Sequence, residues 1–475
     1  MDDNKNTSSL FFITNKNLVR CALIAATFFT VACNKSSKTT ESVFPENNKS
    51  EVKVCGGDSP KSKFIRNEFI VTWENGDISV EKADSSDTFI KDFMTPQLEK
   101  IRHVEYNKTI HLLDNNPAIN DSNFYSRSHR FEESSLNLNS YDGAGDSYDI
   151  VGVNSATEEV ANKGPEQINA PEVWNQNQFG KDVLVAVVDS AVDITHPQLA
   201  DRIQINEAEA NGKSGEDDDG NGFVDDVYGW DFVQDTPQYS NNVSEHGTHV
   251  AGIIAANTTR TTVRGVAPQA KILAVNFLNA KGEGSLFAAI TALKYAASRG
   301  AKVINASWGA SCYSASLEQE MTALKDQGII FVAAAGNEYL DFDTNPKSTW
   351  TYPAASNLDN QITVGANNML GYLMSFSNRS YSLVHLTAPG YAVTSTVPVS
   401  EYAPTGYAKE SGTSMAAPFV SGAVALLLGA YPQATPIQIK QAILAGVVKH
   451  QGYISKTLTG GILDVSASMK YLKSN

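Results

Sequence analysis

Four apolar runs of strand length recur between residues 183 and 334, and they restrict the fold of this chain more than any other feature. Stretches with helical periodicity separate them. The runs are residues 183–188, 271–275, 303–307 and 329–334, and the helical stretches are 250–256, 285–299 and 316–326. Continuous apolar strands that alternate with helices are typical of a parallel sheet covered on both faces. The sequence therefore predicts an α/β fold, a three-layer α/β/α domain with a mostly parallel central sheet.

Shifts in composition divide the rest of the chain. Strands are predicted at 68–73, 78–80 and 109–113, with a short helix at 95–103, so we expect a small α+β unit before the main domain. Polar stretches typical of exposed linkers flank this unit. The predicted organisation is a signal peptide at 1–32, a polar tether at 33–63, the α+β unit at 64–113, a linker at 114–162 and the α/β domain at 163–475.

The N-terminus has the pattern of an export signal. Lys16 and Arg20 precede an apolar run at 22–32, which is too short to span a bilayer but fits the hydrophobic region of a signal peptide. The run ends in Thr-Val-Ala before Cys33, which resembles a bacterial lipobox, where the cysteine is acylated and becomes the mature N-terminus. We expect a lipid anchor on Cys33; the alternative is an ordinary secretory signal cut nearby. Either signal predicts an exported protein, held at the cell envelope or secreted after processing.

The charge balance and the cysteines limit the partners further. Lys and Arg number 37 against 52 Asp and Glu, so the net charge is −15, and a nucleic-acid partner would require basic patches. Of the four cysteines, Cys21 lies within the signal and Cys33 is the lipidation candidate. Cys55 and Cys312 fall in different predicted domains, so we expect them to be unpaired, although exported proteins can carry disulfides.

Polar side chains occur where a site should form in such a sheet. Asp189 follows the first apolar run and Asn337 follows the last, and sites in parallel sheets lie at the carboxyl ends of the strands. Ser414 precedes a long apolar run at 419–428. It would therefore lie at the N-terminus of a buried helix, where unpaired N–H groups and the helix dipole favour negative charge. His246 lies in the segment Glu-His-Gly-Thr-His-Val.

Together these four side chains supply the parts of a nucleophilic hydrolase. A serine hydroxyl needs a base, an imidazole can be that base, and a carboxylate can hold the imidazole in the required tautomer. An amide can donate a hydrogen bond to the developing oxyanion. Alone, each has an equally good structural interpretation: Asp189 as a turn residue or helix cap, Ser414 as an N-cap, Asn337 as a turn, and His246 with His249 as metal ligands. Their joint occurrence in the order Asp, His, Ser argues against all of these.

Three segments resemble signatures of the subtilase family, the subtilisin-like serine endopeptidases. They are 187–193 (VVDSAVD), 245–252 (EHGTHVAG) and 412–418 (GTSMAAP), and the resemblance covers the main domain. It implies that Asp189 is the orienting carboxylate, His246 the general base, Ser414 the nucleophile and Asn337 the oxyanion-hole amide. It also implies a serine endopeptidase acting on polypeptide substrates. The competing interpretation is a non-catalytic binding protein on the same fold.

The same resemblance implies a substrate groove. The residues that match the edge strand, which pairs with an extended peptide by β-augmentation, are Ser307, Trp308 and Gly309. Those that match one wall of the primary specificity pocket and its rim are Ala335, Gly336 and Glu338. The segment 351–354 matches the pocket floor. Thr351 replaces a glycine that many members have there, which predicts a shallower pocket.

An acidic loop at 217–226 predicts a calcium site, because its spacing follows the D-x-D-x-N-G calcium pattern. Carboxylates at this density repel one another unless a cation or solvent screens them, so a solvated loop is the alternative. The expected ligands are Asp217, Asp219 and Asn221 at the first, third and fifth positions, the carbonyl of Phe223, and Asp225 or Asp226.

Residues 64–113 resemble a subtilase propeptide in position and strand pattern. Such a domain assists folding and blocks the active site until it is cut. The resemblance implies that this unit is an intramolecular inhibitor and that maturation occurs in the linker. A lipid on Cys33 and a cut in the linker would part the catalytic domain from the membrane. Three outcomes stay open: the anchor holds only a precursor, the cleaved prodomain stays bound, or no cut occurs.

Overall fold

A computed structural model describes residues 64–113, 163–238, 243–257 and 263–474. By its contacts the chain divides into two units, residues 1–108 and 109–475. The predicted signal at 1–32 with its neighbour Cys33, the rest of the tether and the linker at 114–162 lie outside the described residues.

The first unit contains antiparallel strands with one helical crossover. β1 (Phe64–Trp73) pairs with β2 (Ile78–Lys82) and with the first part of β3 (Ile101–Leu112). Consecutive short helical turns connect β2 to β3, at Ser86–Thr88, Phe89–Met94 and Thr95–Lys100. The helix predicted at 95–103 ends at Lys100, because Ile101 joins the small apolar core and His103 pairs with Thr72.

The second unit is built on one large sheet, with ten strands among the described residues. From edge to edge these are β16 (Val448–Lys449), β17 (Gly461–Ile462), β13 (Leu386–Pro389), β12 (Gln361–Asn367), β11 (Ile330–Ala334), β9 (Val303–Ala306), β4 (Leu184–Ser190), β7 (Lys271–Leu278), β5 (Gly229–Asp231) and β6 (Thr236–Pro237). Neighbours run parallel except in the two edge pairs, β16–β17 and β5–β6. The prediction of a mostly parallel sheet is confirmed.

Helices cover both faces of this sheet. The longer helices are α1 (Glu245–Ala255), α2 (Leu286–Ser298), α3 (Ala315–Asp326), α4 (Thr413–Ala430), α5 (Pro436–Ala445) and α6 (Val465–Ser474). α1 packs against α4, and both contact β4, while α2 packs against α3 and contacts β4 and β7. Alternate residues of β4, Val185 and Val187, share one apolar core with α1 and α4. The three-layer α/β/α prediction is confirmed. Shorter helical turns lie at Gly164–Gln167, Ala170–Trp174, Glu207–Ala210, Lys347–Thr349 and Gln451–Tyr453.

α4 is long and apolar enough to cross a membrane by length and composition, but most of it is buried inside the fold. It is the central helix of the core, and Ser414 lies in its first turn.

Among the described residues, four further strands of the second unit lie outside the large sheet. β14 (Val393–Thr396) and β15 (Tyr407–Glu410) form an antiparallel pair. β8 (Glu283–Ser285) and β10 (Trp308–Gly309) each pair with the end of β3, within the segment Thr109–Leu112.

Cys312 is disulfide-bonded. The expectation of an unpaired thiol is wrong for this residue. Its neighbourhood in the sequence carries no second cysteine, so no local spacing could have revealed the bond.

Candidate active site

The carboxyl end of β4 and the first turn of α1 bring Asp189 and His246 together. The Nδ1–H of His246 donates to Oδ1 of Asp189 at 2.7 Å. The backbone N–H and the hydroxyl of Ser190 donate to the same oxygen. Asp189 is fully buried and His246 nearly so. This arrangement fixes the imidazole tautomer in which Nε2 is the basic nitrogen.

His249 lies one turn further along α1 and has a different role. It is fully buried, and its Nε2–H donates to the carbonyl of Val393 at 2.9 Å. Among the described residues, one cluster of side chains could hold a metal ion. Neither His246 nor His249 belongs to that cluster. The alternative interpretation of the two histidines as a metal pair therefore has no support.

Ser414 is held at the head of α4 by reciprocal contacts with Ser307. The Ser414 hydroxyl donates to the carbonyl of Ser307 at 3.1 Å, and the Ser307 hydroxyl donates to the carbonyl of Ser414 at 2.9 Å. Both residues are fully buried. Asn305 donates to the Ser307 hydroxyl in turn. The serine turn is therefore fixed against the strand that leads into β10.

Asn337 follows β11, and Thr413 fixes the orientation of its amide. The backbone N–H and the hydroxyl of Thr413 both donate to Oδ1 of Asn337, at 2.9 and 3.0 Å. Because Oδ1 faces these two donors, Nδ2 points the other way. It donates to the backbone carbonyl of Leu113 at 2.6 Å.

An extended segment of the chain, Thr109–Leu113, occupies a groove between β8 and β10. Leu112 pairs with Trp308, and His111 pairs with both Gly309 and Glu283. The N–H of Leu112 donates to the carbonyl of Gly282 at 2.9 Å. Such pairing on two sides is how a groove binds a peptide by strand addition. The segment ends with the Leu113 carbonyl at the Asn337 amide.

Trp308, a predicted groove residue, supports this groove from within. Its indole is fully buried, and the ring N–H donates to the carbonyl of Val188 at 2.8 Å. The ring packs edge-on against Phe277. The backbone of β10 thus faces the segment Thr109–Leu113, while the Trp308 side chain anchors β10 to β4.

The other predicted pocket residues lie together beyond β11. Asn378 Nδ2 donates to the carbonyl of Ala335 and to the Glu338 carboxylate, at 3.0 and 2.8 Å. Gly336 has φ +105°, a conformation that favours glycine. Thr351 is buried next to Glu338.

Two of the predicted calcium ligands, Asp219 and Asp226, gather with a third carboxylate that was not predicted, Glu209. One oxygen each of Glu209, Asp219 and Asp226 lie within 4.8 Å of one another. Three oxygen ligands at this spacing fit a hard divalent cation. Glu209 lies outside the loop pattern, in the short helix before it. Its carboxylate also accepts the backbone N–H groups of Asp218, Asp219 and Asp225.

The other predicted calcium ligands make hydrogen bonds and ring contacts in and around the acidic loop. Asp217 accepts the N–H groups of Asn221 and Gly222, and Asp225 accepts that of Gly215. The Asn221 amide donates to Asp219 and Asp226, and the Phe223 ring packs against Trp230, Phe232 and Tyr295. Buried Asp226 also pairs with Arg299 at 2.8 Å, which removes part of the local negative charge.

The fold and this arrangement define a class of protein. A parallel sheet with an Asp–His pair at one strand end, and a serine at the head of the central helix, is the framework of a subtilisin-like serine endopeptidase. The model of the subtilase family matches residues 180–460. The chain belongs to the subtilase family.

Individual relatives agree with this assignment. Thermitase of Thermoactinomyces vulgaris is 38% identical over 267 residues, which cover 56% of this chain and 81% of thermitase. The thermophilic serine proteinase of Bacillus sp. (strain AK1) is 36% identical over 281 residues, 59% of this chain and 60% of that protein. The chain thus spans about three fifths of the length of that second relative.

A solved structure shares the fold. Fervidolysin from Fervidobacterium pennivorans, described as a keratinolytic enzyme related to subtilisin, superposes with a TM-score of 0.63 at 23% sequence identity. The match covers 86% of this chain and 61% of that chain.

Proposed function

We propose that this protein is an exported serine endopeptidase that hydrolyses peptide bonds through an acyl-enzyme on Ser414. The observation that carries the proposal is the Leu113 carbonyl, which accepts a hydrogen bond from Asn337 Nδ2 at the end of a strand-paired peptide segment. A peptide carbonyl in this position is where a serine nucleophile and an oxyanion donor must meet.

The reaction follows from the contacts of each group. His246 takes the proton of the Ser414 hydroxyl as the oxygen attacks the carbonyl carbon, and Asp189 stabilises the imidazolium that forms. The Asn337 amide and the N–H of Ser414 stabilise the oxyanion. His246 then gives its proton to the leaving amine, which leaves an ester on Ser414. Water, deprotonated by His246, hydrolyses this ester and restores the serine. For the attack, the Ser414 hydroxyl must exchange its bond to the Ser307 carbonyl for one to His246 Nε2.

A fluorophosphonate probe tests this assignment. Each chain is first nicked in the linker with trypsin, so that variants unable to process themselves are equally open. We expect the wild type and Ser411→Ala, a control three residues away, to become labelled, and Ser414→Ala to remain unlabelled. Equal labelling of wild type and Ser414→Ala, or no labelling of either, would favour the non-catalytic binding protein instead.

Residues 64–113 act as a prodomain whose last residues block the groove. The segment Thr109–Leu113 occupies both strand-pairing edges, β8 and β10, so a second peptide could not bind there. Leu113 is almost fully buried. Its position at Asn337 makes Leu113–Asp114 the bond presented for cleavage. The first cut of this chain is therefore made in its own sequence, at the start of the linker.

Mass spectrometry of the purified wild-type chain tests this cut. We expect a fragment that ends at Leu113 and another that begins at Asp114, because the Leu113 carbonyl accepts the Asn337 hydrogen bond. The Ser414→Ala chain should stay intact over the same time. A wild-type N-terminus elsewhere in 115–162, with no trace of Asp114, contradicts the assignment.

Export and lipidation rest on the sequence at residues 16–33, outside the described residues. The same mass spectrum, taken on protein from membranes of the bacterium that expresses it, distinguishes a diacylglyceryl-modified Cys33 from a free N-terminus. A lipid on the fragment that ends at Leu113 would anchor the prodomain and release the protease.

Calcium is the cofactor that we propose for the acidic cluster, held by Glu209, Asp219 and Asp226. Bound there, the cation would supply positive charge that offsets the repulsion between these carboxylates. Glu209 and Asp226 are buried, and Asp226 also accepts the hydroxyl of Tyr295 in α2. The residues around the cluster therefore link the acidic loop to the helix layer, and the site would stabilise the fold without entering the reaction.

Thermal unfolding of the Ser414→Ala chain, which cannot digest itself, tests the cation site. A ligand at 100 times its dissociation constant stabilises the folded state by about 2.7 kcal/mol, so we expect the Tm to be several degrees higher in calcium than in EDTA. Glu209→Gln should abolish most of this difference. Glu207→Gln, on the same short helix but outside the cluster, should preserve it. Equal Tm values in calcium and EDTA would rule the site out.

A further inference from the structure

We propose that the end of the linker, residues 141–162, binds to an exposed apolar surface at one edge of the large sheet. This surface, called the edge face below, is formed by the side chains of Met369, Leu370, Tyr372 and Ile454. The proposal goes beyond the reaction proposed above and does not depend on it, because it concerns where the linker is held and not the chemistry of the active site.

The edge face is formed by two segments that pack against each other. One is the loop that follows β12, and the other follows the edge strand β16. The Tyr372 ring packs edge-on against His450, with 6.1 Å between the ring centroids. The hydroxyl of buried Tyr453 donates to the carbonyl of Gly371 at 2.6 Å. Ile454 follows Tyr453 directly, so these contacts bring it close to the loop.

Apolar groups on this face are unusually open to water. Leu370 is 78% exposed and Ile454 is 71% exposed, while Met369 and Tyr372 are each about half exposed. Single exposed apolar side chains are common on folded proteins, but several that lie together indicate an interaction surface. We therefore expect a partner to cover the edge face.

The charge of the surrounding sequence limits what that partner can be. Residues 360–400 and 411–463, which include every residue of the edge face, contain no Asp or Glu, although the whole chain has a net charge of −15. Lys449 and Lys456 lie on either side of Ile454 in the sequence, and both are exposed. An apolar face flanked by lysines favours a partner that is both apolar and acidic.

The end of the linker has this composition. Residues 141–162 contain five Asp and Glu and no Lys or Arg. Within them, residues 148–153 (Tyr-Asp-Ile-Val-Gly-Val) are mainly apolar. Apolar side chains gain free energy when they leave water, and the neighbouring carboxylates would pair with the lysines beside the edge face. The linker therefore offers both kinds of contact that the face requires.

The linker also ends beside the edge face. It continues into the short helix Gly164–Gln167, where Gln167 Nε2 donates to the carbonyl of Asn368 at 2.8 Å and Gln167 Oε1 accepts from Asn367 Nδ2 at 3.2 Å. The chain from Val153 to this helix spans at most about 40 Å when fully extended. The apolar part of the linker is thus tethered within reach of the face, at a high effective concentration.

Hydroxyl-radical footprinting of the Ser414→Ala chain tests the proposal, because it measures how fast exposed side chains are oxidised. This chain is compared with one in which residues 141–162 are replaced by a Gly-Ser sequence of equal length. A face that is covered nine-tenths of the time reacts about tenfold more slowly, so we expect this reduction at Met369 and Leu370 with the native linker. Tyr402, which is 85% exposed between β14 and β15, should react equally in both chains.

Charge reversal tests the ionic contacts. Lys449→Glu combined with Lys456→Glu should make the edge face react as fast as it does with the Gly-Ser linker. Adding Asp146→Lys and Asp149→Lys to that chain should restore the slow reaction. Lys181→Glu, the same change of charge at an exposed position before the start of β4, should have no effect. Circular dichroism and the Tm verify that each variant is folded.

Equal oxidation of the edge face with the native and the Gly-Ser linker would overturn the proposal. If vesicles of phosphatidylglycerol then slow the oxidation in both chains, the face binds an anionic membrane instead of the linker. Neither result affects the proposed protease, since the footprinting uses a chain without its nucleophile and the fluorophosphonate experiment is separate.

Discussion

The hydrogen bond from the Asn337 amide to the Leu113 carbonyl is the contact on which the functional interpretation depends. The amide N–H₂ group points towards Leu113 because Thr413 donates two hydrogen bonds to the amide oxygen on the other side. The Leu113 carbonyl reaches this amide because β8 and β10 hold the preceding residues in an extended strand. The carbonyl of Leu113 thereby lies at the amide that we propose as the oxyanion donor.

Much of the fold could be predicted from the sequence because β4, β7, β9 and β11 are buried on both faces and are therefore continuously apolar. β12 was not predicted, because its apolar pattern is interrupted by Gln361, Thr363 and Asn367, which are all fully buried. Their polar groups bond to neighbouring backbone, as Gln361 does to Pro353 and Ala354. The edge strands β5, β6, β16 and β17 have two or three residues each, too few to show a period.

The candidate site, like the fold, could be predicted from the sequence only in part. The places of Asp189 and Asn337 at strand ends and of Ser414 at a helix start could be predicted, because sites in parallel sheets form at the carboxyl ends of the strands. Leu113 could not be recognised as their neighbour, since it lies 224 residues from Asn337 and belongs to no motif. Glu209 was missed because the calcium pattern is read along the loop, whereas its carboxylate reaches the cluster from the preceding helix. A contact between residues that lie far apart in the sequence leaves no local sequence pattern from which it could be predicted.

Inhibition of the processed enzyme by its own N-terminal fragment tests whether Leu113 occupies the active site. Fragments 64–113 and 64–108 are compared, each checked for folded structure by circular dichroism. The claim predicts that 64–113 inhibits competitively and that removing Thr109–Leu113 weakens it by at least about tenfold, since burying the Leu113 side chain alone contributes about 1.5–3 kcal/mol. Equal inhibition constants for the two folded fragments would show that Leu113 does not occupy the active site, and would contradict the claim.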